Sequence, residues 1–76
     1  MSKYNGHKNW PHWNVSLWIN NDEGLYRCAQ DCVRYTRTRQ AAAQVMLEML
    51  HAHGKTKTPD GARYTISSIR AALVDL

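Results

Sequence analysis

The chain has 76 residues, 43% of them apolar and 21% charged, a composition that allows one domain with a modest core and argues against general disorder. Ten Lys and Arg against six Asp and Glu leave a net charge of +4. That balance excludes an acidic mimic of DNA and favours nucleic acid, an anionic surface or an acidic protein patch as partner. No apolar run approaches the roughly 18 residues of a membrane helix, and the N-terminus lacks a secretory apolar core, so the expected setting is cytoplasmic with no membrane association.

Residues 1–8 have little apolar pattern and read as a flexible N-terminal arm with Tyr4 as its one candidate anchor; residues 9–76 read as a single helical domain. Asn9-Trp10-Pro11 opens the first helix, with Asn as N-cap and Pro in the first turn, where its missing N–H costs nothing. Trp10, Trp13 and Leu17 recur at helical spacing, Val15 and Trp18 broaden the stripe, and Asn14 and Ser16 are expected to face elsewhere. At ~100° per residue Trp18 stands about 140° from Trp13, so the tryptophans cannot share one direction. Two are expected to anchor the core, with Trp18 or Trp10 partly exposed.

Asn21 or Asp22 restarts the chain as a second helix, on which Leu25, Cys28, Ala29 and Cys32 form a clear apolar stripe and Glu23, Arg27 and Asp31 an i, i+4 charge ladder. Thr36 to Thr38 predicts a bend. A third helix then runs from about Arg39 to His53, with Ala42, Val45, Met46, Met49 and Leu50 facing inward and Gly54 just past its end. Thr58-Pro59-Asp60-Gly61 predicts a tight turn, and Tyr64 packs back as a short extended piece. Thr65 or Ser67 caps a last helix striped by Ile66, Ile69, Ala72, Leu73 and Leu76. The expected fold is all-α, a compact bundle of about four short helices.

Few residues suggest catalysis. The four glycines are scattered singly, so no phosphate-cradling loop is present. Helix capping explains Asp22-Glu23, the one adjacent acidic pair. Cys28 and Cys32 could supply half of a metal site completed by His51 and His53 or by His7 and His12, but their place on an apolar stripe favours packing as small hydrophobes. The expectation is a non-enzymatic protein with no metal and no cofactor. Arg34, Arg37 and Arg39 are interleaved with Tyr35, and Lys55, Lys57 and Arg63 frame the later loop. If both groups lay at one end of the bundle they would form a patch for phosphates or carboxylates. With Trp18 as a candidate exposed aromatic, these are the candidate partner-binding residues. A face containing Ala42, Val45 and Met49 could serve a homodimer as readily as a monomer core.

The run from Asn9 to Tyr26, and within it Trp13-Asn14-Val15-Ser16-Leu17-Trp18 followed by Asn21-Asp22-Glu23-Gly24-Leu25-Tyr26, resembles a family of small uncharacterised proteins of bacteriophages and mobile elements. Thr58-Pro59-Asp60-Gly61 resembles a second recurring feature of that family, while Pro11-His12 departs from its usual polar residue and Thr. The resemblance implies a phage origin and a role inside the bacterial host, and carries no catalytic residue. Accessory proteins of that kind often bind and block a host factor. The leading expectation is an inhibitor of a host protein or defence complex, an anti-CRISPR or other anti-defence protein. The alternative is a small basic nucleic-acid-binding or regulatory module.

Overall fold

A computed structural model describes residues 6–74 and 76. The expected arm over residues 1–8, with its anchor Tyr4, lies mostly outside the described residues. Four helices follow one another: α1 Trp10–Asn21, α2 Glu23–Tyr35, α3 Arg39–Ala52 and α4 Ile66–Ala72. Each packs on its two neighbours in the cycle α1, α2, α3, α4 and back to α1. The all-α bundle is therefore as expected. Its radius of gyration, 11.4 Å, matches the roughly 11 Å of a compact chain of this length.

The helix ends follow from local chemistry. Asn9 Oδ1 accepts the His12 N–H at 3.1 Å, and Pro11 sits in the first turn of α1. Asp22 serves two helices: its N–H donates to Trp18 O at 2.9 Å to close α1, and its Oδ1 accepts the Leu25 N–H at 2.9 Å to open α2. Thr38 Oγ1 caps α3 by accepting the Ala41 N–H at 3.0 Å. At the other end of α3, Gly54 takes φ +73°. There the Lys55 N–H reaches Leu50 O at 2.8 Å and the Gly54 N–H reaches His51 O at 2.9 Å, the paired bonds of a Schellman stop that needs a left-handed residue. Thr65 and Ser68 form a reciprocal capping box at the start of α4.

Burial on α2 and α4 agrees with the sequence stripes. Ala29 and Cys32 are buried, with Leu25 and Cys28 packed against them; Ile69, Ala72 and Leu73 are buried, with Ile66 and Leu76 alongside. Tyr64 is buried too. On the solvent side of α2 the charge ladder closes between Glu23 and Arg27, the one ion pair among the described residues.

Two faces differ from expectation. On α1 the buried residues are Asn14, Val15 and Ile19, whereas Trp10 and Leu17 are each 38% exposed and Trp13 and Trp18 are half-buried. The tryptophans line the flanks of the core and none sits at its centre. Asn14 faces inward with a hydrogen-bond partner for both Nδ2 and Oδ1, which offsets the usual cost of burying it. On α3 the inward residues are Ala42, Ala43, Met46 and Leu50, while Val45 and Met49 remain 38% and 43% exposed. Apolar residues cover more of α3 than α4 and α2 can bury, and the small Ala42 and Ala43 take the tightest positions.

Candidate functional site

The two basic groups predicted from sequence do not meet. Helix α3 separates them: the bend from Thr36 to Thr38 precedes its first turn, and Lys55 follows its last. Fourteen residues of α-helix span about 20 Å at ~1.5 Å per residue. Arg34, Tyr35 and Arg37 therefore occupy one end of the bundle, and Lys55, Lys57 and Arg63 the other.

Within the first group the side chains have different tasks. Arg39 turns back onto α4, donating from Nε to Leu73 O at 2.8 Å and from Nη2 to Leu76 O at 2.7 Å. Leu73 is the C-cap of α4, where a cation on the carbonyl satisfies an orphan acceptor and suits the negative end of the helix; Leu76 lies beyond the helix. Arg39 is thus engaged in the fold. Arg34 and Arg37 are exposed and make no hydrogen bond through their side chains among the described residues. Tyr35, at 78% exposure, is the most open large apolar side chain of the described structure. It stands at the end of a shallow, mainly apolar groove along the α2–α3 seam, lined by Cys28, Cys32, Val45 and Met49.

The second group sits on a small hairpin. Thr58 O accepts the Gly61 N–H at 2.9 Å, Thr58 N–H donates to Ala62 O at 2.7 Å, and Tyr64 N–H donates to Thr56 O at 3.0 Å. Pro59 and Asp60 form the turn, and Gly61 adopts φ +95°. Lys57 and Arg63 pair across the two arms, so like charges stand opposite one another, an arrangement that disfavours itself and favours an anion.

The hairpin is clamped to α1. Asn14 Nδ2 donates to Asp60 Oδ2 at 2.9 Å, and Trp18 Nε1 donates to the same oxygen at 2.9 Å. Thr58 Oγ1 donates to Asn14 Oδ1 at 2.6 Å and accepts the Ala62 N–H at 3.0 Å. The bonds from Asn14 and then Trp18 hold the Asp60 carboxyl below its ordinary pKa. Trp18 therefore donates its indole N–H within the fold, while its side chain stays half-buried. Sequence reasoning missed this network because its halves lie 46 positions apart. The spacing Asn14-x3-Trp18, one helical turn, was the signal that could have found it.

The histidines are spread out. His12 Nε2 lies 3.0 Å from Ser67 Oγ, linking α1 to α4, and its pKa is lowered by burial and by Lys8 and His7. His53 is the C-cap of α3. No three His, Cys, Asp or Glu residues converge as metal ligands among the described residues. No helix of the described structure is long and apolar enough to cross a membrane.

Comparison with curated proteins and with solved structures finds no match. A family model does match residues 1–75, nearly the whole chain, and the protein belongs to that family, DUF7249, a family of unknown function.

Proposed function

We propose that the chain is a non-enzymatic accessory protein of bacteriophage or mobile-element origin that binds and inhibits a host factor in the bacterial cytoplasm, a host defence complex such as a CRISPR effector being the leading target. The observation that carries the reading is the surface around the α2–α3 bend. Tyr35 is 78% exposed there, with Val45 and Met49 open beside it and the exposed guanidinium groups of Arg34 and Arg37 nearby in the chain. Tyr, Arg and Met are enriched at protein interfaces, and a few such anchors carry most of the binding energy. The fitting partner presents carboxylates around an apolar pocket.

The test is affinity capture from host lysate with the unmodified chain, Tyr35→Ala and Arg37→Glu in parallel, alongside interference assays in cells carrying a CRISPR effector. One stoichiometric host protein, lost with both variants, and relief of interference support the reading. Capture of nothing stoichiometric, or capture indifferent to both variants, removes it.

A second reading is a nucleic-acid-binding module, favoured by the crowding of Lys57 against Arg63 on the hairpin with Lys55 close by in sequence. It requires DNA or RNA binding that weakens steeply with salt and fails in Lys57→Glu.

A further inference from the structure

The α2–α3 seam brings three sulfur atoms together where sequence spacing shows only two. Cys28 and Cys32 are one helical turn apart on α2 and are both free thiols. From α3, Met49 places its Sδ 4.0 Å from Cys28 Sγ. All three residues line the same groove, which opens to solvent beside Tyr35; Cys28 and Met49 also line a second groove towards the other end of the seam. Cys32 forms the floor at 5% exposure, and Met49 the rim at 43%.

We propose that Cys28, Cys32 and Met49 form a binding site for one monovalent soft metal ion, Cu(I), held between α2 and α3. Three sulfurs arranged trigonally about an ion at a metal–sulfur distance of about 2.3 Å stand about 4 Å from one another. The spacing of Cys28 Sγ and Met49 Sδ already meets that requirement, and the i, i+4 relation puts the second thiol on the same side of α2. Donor chemistry selects the ion. Thiolate and thioether ligands favour Cu(I), whereas Ca and Mg need oxygen cages and structural zinc needs four N or S donors. Among the described residues no third His, Cys, Asp or Glu joins the pair, so the thioether completes a set that suits Cu(I) and leaves zinc short.

Binding is coordination without a change of oxidation state. The ion takes an electron pair from each sulfur, both thiols release their protons to solvent, and the product is a bis-thiolate thioether complex of net charge −1. Both thiol protons must be displaced by the metal. The ion would tie α2 to α3 and stabilise the folded chain through mass action. The site shares Met49 and the groove beside Tyr35 with the surface proposed for the host factor, but its test reads metal binding by the isolated chain and stands or falls without that reading.

The experiment is anaerobic titration of the reduced full chain with Cu(I) in competition with a chromophoric Cu(I) chelator. The melting curve is followed by circular dichroism with and without the ion. One Cu(I) per chain and a raised melting temperature are expected. Met49→Leu, which keeps the apolar volume, should weaken affinity at least tenfold, and Cys28→Ser should weaken it further. Zn(II) at the same concentration should leave the melting curve unmoved. Because Cys32→Ala touches the core, the Met49→Leu result decides the point at a partly exposed position. No Cu(I) retained against the chelator, one ion shared by two chains, or Met49→Leu within twofold of the unmodified chain would overturn the assignment.

Discussion

Replacing Asn14 with Ala tests whether the α1–hairpin clamp holds the fold. Asn14 is 1% exposed and Thr58 4%, so water cannot readily replace the bond between them. Truncation removes the acceptor of the Thr58 hydroxyl and one of the two side-chain donors to Asp60. Asp60 is exposed and keeps Trp18, so its loss is small. The Thr58 hydroxyl hydrogen is left buried and unpaired, which costs about 1–3 kcal/mol, and the vacated amide adds a small cavity. A total of about 2–3 kcal/mol corresponds to a fall of roughly 10–20 °C in melting temperature for a domain of this size. Thermal and urea melts of Asn14→Ala, Thr58→Val and the double variant form the required cycle. The double variant should cost less than the sum, with a coupling of about 1–2 kcal/mol. Additive effects, or a cost below ~0.5 kcal/mol for Asn14→Ala, would mean that the clamp is incidental.

Three further outcomes follow from the same geometry. The Asp60 carboxyl is held below its ordinary value by Asn14 and Trp18, so its contribution is present above the unfolded carboxylate range and is lost as pH falls through the lower folded value. Asp60→Asn should accordingly flatten the acid side of the stability profile measured by urea melts from pH 6 to pH 2, and an unchanged profile would refute it. Arg39→Met removes one bond to the C-cap of α4 and one to Leu76 beyond it and should cost about 1 kcal/mol, seen as faster amide exchange in α4, whereas Arg37→Met should leave exchange unaltered. Gly54→Ala forces a side chain into φ +73° and should destabilise the fold by about 1 kcal/mol, read from the melting temperature.

Local signals were legible and long-range ones were not. Asn9 and Gly54 mark helix ends within a few residues of the groups they satisfy, and capping chemistry narrows two others to Asn21 or Asp22 and Thr65 or Ser67, of which Asp22 and Thr65 are the caps. The apolar stripe of α2 has one solution and faces the core as read, with Ala29 and Cys32 buried and Leu25 and Cys28 half-buried. Helix α1 has two apolar flanks, and polarity hid the buried one: Asn14 looks like a surface residue until Thr58 and Asp60 arrive from the far end of the chain. The same holds for Arg39, whose partners are the carbonyls of Leu73 and Leu76. Topology decided the basic residues. Nothing in the spacing of Arg37 and Lys55 says that a whole helix stands between them, and the single patch imagined from sequence becomes two.

That division bears on what the resemblance can mean. The residues that carry it are largely consumed by the fold: Asn14 and Trp18 hold the Asp60 carboxylate, Thr58 holds Asn14, and Asp22 joins α1 to α2. Residues occupied in this way by the fold prescribe no partner by themselves. The proposed partner surface then draws on side chains that the scaffold leaves unused. At one end these are Arg34, Tyr35 and Arg37, beside the groove of Cys28, Cys32, Val45 and Met49. At the other they are Lys55, Lys57 and Arg63 on a hairpin whose position the clamp fixes. A variant that breaks the clamp should disturb the hairpin first and the α2–α3 bend last. Loss of partner binding in Asn14→Ala under conditions where the chain stays folded would place the binding surface on the hairpin. Retention would place it at Tyr35.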